Sequence, residues 1–327
     1  MAVKIAINGC GRIGRALLRI ATQNPAFKIV AVADIMPLDS AAYSLRFDSV
    51  HGGLDVKVED EHLVIGNSKI PYLLANTSPN FANFGAEVVI ESSGLFLDTK
   101  SVQHHIDKGV RKVIISAPAT DSTPTFVRGV NDNLYTGQPI ISNASCTTNC
   151  LAPIAMLLDR YFGVEKGTIL TVHSYTNDQK LLDSAHKSDF RRSRAAAANI
   201  IPTTTGAAKA LCRVLPQFKD KLHGHSIRVP VPDVSMLDVN VKLKKRASAE
   251  SVNAIFYEHA KSDLAGILRV DSEYGVSSDF YNDSHSCIVA ADLTFIVADD
   301  LLKVMAWYDN EWGYSHRLLE MAQIMTA

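Results

Sequence analysis

The chain lacks the marks of several broad protein classes. Its 327 residues carry Lys+Arg 33 against Asp+Glu 34, a net charge of −1, so no bulk electrostatic case exists for a nucleic-acid or membrane-surface partner. Cysteine is scarce. Cys10, Cys146, Cys150, Cys212 and Cys287 form an odd set, with neither a disulfide framework nor the paired C-x-x-C spacing of a zinc site. No metal is expected on those grounds, and a reducing, cytoplasmic setting fits best. No run of about 18 apolar residues occurs, so a membrane-spanning helix is not expected. Met1-Ala2-Val3-Lys4 leads directly into a strand-like segment, without the hydrophobic region of a signal peptide. Internal repeats and low-complexity linkers are absent as well.

What is present is a soluble globular composition, 47% hydrophobic and 20% charged, on a chain long enough for two domains. The first half alternates short β-branched runs with helical patterns. Val3-Lys4-Ile5-Ala6-Ile7-Asn8 reads as a strand. Gly9-Cys10-Gly11-Arg12-Ile13-Gly14-Arg15 and the helical pattern from Ala16 follow at once, giving G-x-G-x-x-G in the context a dinucleotide-binding turn requires. A second strand, Lys28 to Ala33, ends at Asp34, the carboxylate expected to meet an adenosine ribose. Further runs at Val88-Val89-Ile90, Val113-Ile114-Ile115 and Ile140-Ile141, with a helix-like segment from Ser101 to Gly109, argue for a doubly wound parallel sheet. Ligands bind beyond the carboxyl ends of such strands, so the tips from Glu91 to Phe96 (with Ser93 and Gly94), Ser116-Ala117-Pro118 and Ser142-Asn143 should line the cofactor crevice.

The last of those tips leads into Ser145-Cys146-Thr147-Thr148-Asn149-Cys150, where a strand hands over to the helical pattern from Leu151. Free N–H groups and the positive dipole end of a first helical turn stabilise a thiolate, which makes Cys146 the candidate nucleophile. Cys150, about one turn further on, reads as a small buried hydrophobe. A nucleophile beside a dinucleotide crevice suggests covalent catalysis coupled to hydride transfer.

After about residue 150 the pattern changes. Thr168 to His173, Val234 to Leu243, Cys287 to Val297 and Leu302 to Tyr308 read as longer strands, several alternating with period two. Helices are expected at Ser248 to Lys261 and Ser315 to Met325. The fold class is therefore α/β, a Rossmann-type doubly wound parallel sheet plus a second α+β domain with a mostly antiparallel or mixed sheet. His173, at a strand end, is the residue type an activated thiol needs, although spacing alone cannot pair it with Cys146. Arg191-Arg192-Ser193-Arg194 would by itself be a solvated charge run.

Several motifs together carry a family resemblance: Asn8 to Arg15, Ser145 to Pro153, Val172-His173-Ser174-Tyr175-Thr176-Asn177-Asp178-Gln179, Ile200 to Lys209, Arg228-Val229-Pro230 and Trp307-Tyr308-Asp309-Asn310-Glu311-Trp312-Gly313-Tyr314-Ser315. The chain resembles the phosphorylating glyceraldehyde-3-phosphate dehydrogenase family essentially end to end. The resemblance implies a homotetramer whose protomer has an NAD-binding domain, 1–148 completed by the C-terminal helix 313–327, and a catalytic domain, 149–312. It implies that Cys146 attacks the aldehyde of glyceraldehyde 3-phosphate while His173 handles the proton. Hydride transfer to NAD then leaves a thioester, which inorganic phosphate opens to 1,3-bisphosphoglycerate. By the family pattern Thr176, Asp178, Arg192 and Arg228 bind the substrate phosphate, and Ser145, Thr147, Thr205 and Gly206 bind the attacking phosphate. Gly9, Arg12, Ile13, Asp34, Ser93, Gly94 and Ser116 hold the cofactor, with Asn310 on the nicotinamide carboxamide and Tyr314 nearby.

The chain departs from the usual pattern at Cys10, at Ala75-Asn76-Thr77-Ser78 and at Ser184-Ala185, positions that bear on cofactor choice. Asp34 favours NAD by repelling a 2′-phosphate, and the small Ser184-Ala185 pair leaves NADP as a weaker alternative. Two other readings remain open: erythrose-4-phosphate dehydrogenase, which hydrolyses its acyl-enzyme, and a dinucleotide-binding thiol redox sensor built on Cys146.

Overall fold

The computed structural model describes residues 1–75, 79–186 and 189–327; of the segment 75–78 noted above, residues 76–78 lie outside the described ones. The chain forms two compact units, Met1–Ser145 with Ser315–Ala327, and Cys146–Tyr314.

The first unit begins β1 (Val3–Asn8), α1 (Arg12–Gln23), β2 (Phe27–Asp34) and α2 (Leu38–Arg46), and continues through three short strands, β3 (Val56–Glu59), β4 (His62–Ile65) and β5 (Ser68–Leu74). It then runs β6 (Val88–Glu91), α3 (Thr99–Asp107), β7 (Lys112–Ile115) and β8 (Ile140–Ser142). These strands make one eight-stranded sheet in the order β3-β4-β5-β2-β1-β6-β7-β8. The central strands pair in parallel, and β3, β4 and β5 pair antiparallel as an extension beside β2. The β-branched runs are buried on both faces, as in Val88-Val89-Ile90, where each residue is 0% exposed. From β1 the chain leaves to one side through β2 and returns on the other at β6. That reversal opens a crevice at the carboxyl ends of β1 and β6. Asp98 and Ser101 cap α3 reciprocally, which fixes its start two residues before the expected one.

The second unit begins with α4 (Cys146–Phe162) and β9 (Val164–Ser174), then β10 (Ile201–Thr204), α5 (Ala207–Val214), β11 (Leu222–Val229) and β12 (Ser235–Leu243). It continues with α6 (Ala249–Ala260), β13 (Leu268–Asp271), β14 (Cys287–Ala290), β15 (Phe295–Val297) and β16 (Leu301–Tyr308). Its sheet has the order β10-β11-β9-β12-β16-β14-β13, with β15 on β16. The pairing is mixed: β9 with β11 and β13 with β14 are parallel, and the other pairs antiparallel. Along β12 buried and half-buried residues alternate without a break, and α4 packs against β9, β12, β14 and β16. The single strand expected from Cys287 to Val297 is two. A short 3-10 turn at Ala291–Leu293 interrupts it, and Asn253 Nδ2 donates to the Ala291 carbonyl there at 2.8 Å. The last helix, α7 (Trp312–Thr326), returns Ser315–Ala327 to the first unit.

Candidate active site

In the first unit the glycine turn shapes a cleft. Gly9 has φ +100, and a Cβ there would lie 2.5 Å from Ser93 N; a Cβ on Gly14 would lie 2.0 Å from Gly9 O. Only glycine lets β1, the β6 tip and α1 approach this closely. Gly11 differs, because a Cβ there meets nothing within 4 Å. The open space it leaves, at the N-terminus of α1, suits a pyrophosphate drawn to helical N–H groups. A cleft of about 250 Å³ follows, lined by Asn8, Gly9, Gly11, Asp34, Ser92 and Ser93, with Ile35, Leu95 and Phe96 as apolar walls. Ile35 and Leu95 are exposed, as surfaces awaiting a flat ring would be. Asp34 stands at the end of β2 and accepts backbone N–H bonds from Cys10 and, at 2.8 Å, Met36. These residues fit a dinucleotide.

The remaining expected cofactor residues are placed as follows. Ile13 lies in the first turn of α1, and Arg12 beside it is ion-paired with Asp48 at 2.6 Å. Gly94 takes φ +75 in the turn after β6, and Ser116 N donates to Glu91 O at 3.0 Å. Glu91 lies beneath the crevice, not along it. Only 2% exposed, it accepts from Asn8 Nδ2 at 2.5 Å and from Ser93 N at 2.9 Å, so it ties the β1 tip to the β6 tip.

In the second unit Cys146 is the first residue of α4, preceded by Ala144 in a left-handed conformation at φ +56. Its Sγ lies 3.7 Å from His173 Nε2, at the end of β9. His173 Nδ1 is 2.8 Å from the Ser174 carbonyl and 2.7 Å from Arg228 NH1. Arginine only donates, so Nδ1 cannot use both contacts at once. With its N–H on Ser174 O, the Nε2 lone pair faces the thiol, which is the tautomer a base requires. The Tyr308 ring packs edge-on against His173, and its hydroxyl joins Thr147 at 2.9 Å and Thr171 at 2.8 Å.

The electrostatics correct one expectation. The helix end alone favours a thiolate, yet burial pushes the Cys146 thiol up to about 11, against the opposing pull of Arg228 and Thr147. Burial, aided by Arg228, pulls His173 down to about 3. The resting pair is therefore thiol and neutral imidazole, not thiolate and imidazolium. Cys150 is buried, and its thiol is raised by that burial, consistent with an inert packing role.

Arg228 contacts this pair, and the other expected anion ligands of the second unit are placed as follows. Arg228 NH1 donates to Ser174 O at 3.1 Å, while its Nε is buried and has no hydrogen-bond acceptor among the described residues. Its environment includes Cys146, Arg192 and Asp178. Arg192 is ion-paired with Asp178 and, at 3.3 Å, with Asp189, so it is not the free surface charge its neighbours in sequence suggest. Thr176 gives both its N–H and its hydroxyl to Gln179 Oε1, at 2.8 and 3.2 Å. Thr205 Oγ1 accepts from Ala207 N at 3.2 Å, leaving its hydrogen to donate, and Gly206 caps α5. Ser145 ends the first unit. Tyr314 is buried, and its environment includes Cys146. Asn310, just after β16, accepts from Ser174 and Ser235.

Sequence reasoning missed Glu91 as a tie between strand tips, Tyr308 as the link between Thr147 and Thr171, and His186. The last donates from Nε2 to Asp178 at 3.2 Å while accepting from Asp189 N at 3.1 Å. None carries a local signal, because each acts through residues distant in sequence or through a single turn.

A Rossmann-type dinucleotide cleft on one unit and a cysteine–histidine pair among cationic and hydroxyl donors on the other define an NAD-dependent oxidoreductase of the covalent, thiol-using kind. Residues 3–99 match the model of the glyceraldehyde 3-phosphate dehydrogenase NAD binding domain, and residues 145–310 that of the glyceraldehyde 3-phosphate dehydrogenase C-terminal domain. The chain is 49% identical to glyceraldehyde-3-phosphate dehydrogenase of Mycobacterium tuberculosis over 337 residues, covering 99% of each. It is 47% identical to the Helicobacter pylori protein of that name over 334 residues, again 99% of each. Against the chloroplastic Arabidopsis thaliana protein identity is 46% over 331 residues, covering 99% of this chain and 83% of that one. The chain belongs to the glyceraldehyde 3-phosphate dehydrogenase family, and its cofactor is NAD. These relatives do not favour erythrose-4-phosphate dehydrogenase.

Proposed function

We propose that this chain oxidises the aldehyde of glyceraldehyde 3-phosphate and captures the product with inorganic phosphate as 1,3-bisphosphoglycerate. The observation that carries the reading is the 3.7 Å approach of Cys146 Sγ to His173 Nε2 with Arg228 against the same imidazole. His173 takes the thiol proton as sulfur bonds to the aldehyde carbon, and returns it to the oxygen of the thiohemiacetal. Bound NAD supplies the hydride acceptor. As hydride leaves, the neutral imidazole takes the hydroxyl proton and a thioester remains on Cys146. A phosphate oxygen then bonds to the acyl carbon, the C–S bond breaks, and the thiolate recovers a proton from His173. Sulfur is needed because a thioester retains the energy of the oxidation for the acyl phosphate.

In this reading Thr176, Asp178, Arg192 and Arg228 hold the substrate phosphate, and Ser145, Thr147, Thr205 and Gly206 the attacking one. Directed, charge-assisted hydrogen bonds suit both anions. Gly9, Arg12, Ile13, Asp34, Ser93, Gly94 and Ser116 hold NAD, with Asn310 and Tyr314 at its nicotinamide end; NADP is used more weakly. Residues 1–148 with 313–327 serve as the nucleotide domain, and 149–312 as the catalytic one. The working form is a homotetramer. Leu181, Leu182, Phe190 and Ile200 support this, being exposed apolar side chains between β9 and β10 that a second copy would cover. A cytoplasmic location agrees with the free cysteines, and among the described residues no helix is long and apolar enough to cross a membrane.

Phosphate dependence tests the reaction. NAD reduction with glyceraldehyde 3-phosphate should stop after one turnover per site without phosphate or arsenate, and resume on addition. Equal steady rates with and without them would overturn the phosphorylating assignment in favour of hydrolysis. Full activity after stoichiometric alkylation of Cys146 would leave only a thiol sensor.

A further inference from the structure

The side-chain amide of Asn310 is held in one of its two possible orientations by a pair of buried serines. Ser174 closes β9 and Ser235 opens β12; they are 0% and 1% exposed, and Asn310 6%. Ser174 Oγ lies 2.9 Å and Ser235 Oγ 2.7 Å from Asn310 Oδ1. The direction of these bonds is fixed by a third. Ser174 N–H donates to Ser235 Oγ at 3.1 Å, so that oxygen is engaged as an acceptor and its own hydrogen must find one. Neither hydroxyl has another acceptor among the described residues. Rotating the amide by half a turn would set its NH₂ against both hydroxyls and leave two buried hydroxyl hydrogens unmet, the arrangement buried polar groups avoid. The same orientation leaves Asn310 Nδ2 without a partner among the described residues, so the group offered to a ligand is a donor.

We infer that Ser174 and Ser235 are positioning residues that set the hydrogen-bond polarity with which the site reads the nicotinamide ring, so that the ring substituent must present an acceptor to Asn310 Nδ2. The inference rests on the reading that Asn310 meets the nicotinamide carboxamide. Under it the carboxamide binds through its carbonyl oxygen, and its rotation about the bond to the ring is fixed by two hydroxyls that never touch the cofactor. A site built to satisfy one polarity rejects the opposite one strongly, because a donor facing a donor leaves both unpaired.

Equilibrium binding to the intact protein, followed by calorimetry, tests this without reference to turnover. Three dinucleotides suffice: NAD, the 3-acetylpyridine analogue, which keeps the carbonyl acceptor and lacks the amide N–H, and the 3-aminopyridine analogue, which offers a donor. The parent should bind the acetylpyridine analogue within about threefold of NAD and the aminopyridine analogue about tenfold or more weakly. In Ser174→Ala/Ser235→Ala the amide is free to rotate, and the gap between the two analogues should narrow to about threefold or less. Ser235→Thr, which keeps a hydroxyl, should preserve it. Equal affinity of the parent for both analogues overturns the inference even if the double variant fails to fold. An unchanged gap in a folded double variant overturns it too. Asn310→Ala separates the two levels: if it leaves NAD affinity and the ranking intact, the placement of Asn310 at the nicotinamide is wrong. A weakened Asn310→Ala beside an indifferent parent sinks only the serine lock.

Discussion

Replacing His173 by Asn removes the base while leaving Arg228 beside the thiol, and the size of the loss follows from the ionisation of Cys146. A thiol with a pKa of about 11 is about one part in ten thousand thiolate at pH 7, four units below its midpoint. A positioned base can recover at most that factor, which agrees with the roughly two to four orders of magnitude usual for general acid–base catalysis. His173→Asn should therefore slow acylation by up to roughly 10⁴ at pH 7 and keep NAD binding. The deficit should shrink about tenfold for each pH unit gained as solvent hydroxide takes over the deprotonation. The parent should be nearly flat over the same range, because a histidine pulled down to about 3 is neutral throughout. The assay is the pre-steady-state burst of NADH with glyceraldehyde 3-phosphate from pH 7 to 10, with iodoacetamide alkylation of Cys146 alongside. A deficit that does not change with pH would refute proton abstraction as the role. Alkylation as fast as in the parent would refute the pairing itself.

The same histidine links to stability. Its folded pKa is depressed, so below the ordinary value of about 6.5 the unfolded chain binds a proton that the native one does not, and stability falls with pH from about 6.5 toward 3. Thermal melts should show His173→Gln flattening this acid limb by about 2 kcal/mol at pH 5, and an unchanged limb would contradict the neutral buried imidazole. Gly14→Ala, whose Cβ meets Gly9 O at 2.0 Å, should lower Tm sharply, whereas Gly11→Ala, which meets nothing, should leave Tm within a few degrees yet weaken NAD binding. Equal melting losses in both would mean that Gly11 is structural. Asp34→Gly should raise kcat/KM for NADP and lower it for NAD, since a fixed carboxylate repels a 2′-phosphate by roughly 1–5 kcal/mol; a parent that already prefers NADP would reverse that ranking. Unphosphorylated glyceraldehyde should show a faster acylation burst when phosphite dianion is added, and no response to phosphite would separate the anion site from the base.

What could be read from the sequence was set by how local each cause is. The turn from β1 into α1 was legible because Gly9 and Gly14 answer to contacts within that turn and with the β6 tip, while Gly11 leaves open space at the start of the helix. Cys146 was legible for a similar reason, standing where a β-branched run gives way to a helical pattern. Its ionisation was not. A dipole argument sees the helix end but not the burial that outweighs it. β11 was missed because His223-Gly224-His225 offers no β-branched run; Gly224 is there because a Cβ would lie 2.1 Å from Ile169 O of the neighbouring strand. The strands β3 to β5 were missed because each is short and partly charged, and only pairing with β2 makes them a sheet edge. The lock on Asn310 joins residues 136 and 75 positions apart, beyond any window of periodicity.

Arg228 makes the site's electrostatics depend on its ligands. It favours a thiolate at Cys146 and opposes an imidazolium at His173, so in the resting chain the proton has no comfortable place on the histidine. Under the proposed function, a phosphate dianion held beside the guanidinium would cancel that field at both neighbours at once. It would strengthen the base and give up some help to the thiolate, which suits the proposed reaction because there His173 accepts a proton twice in each turnover, once from sulfur and once from the thiohemiacetal hydroxyl. Burial sets the starting point for both groups, and in the proposed reaction the bound anion would shift it. Without that anion the thiol stays protonated against a weak base, which suits a nucleophile that would otherwise be exposed to every passing electrophile and oxidant.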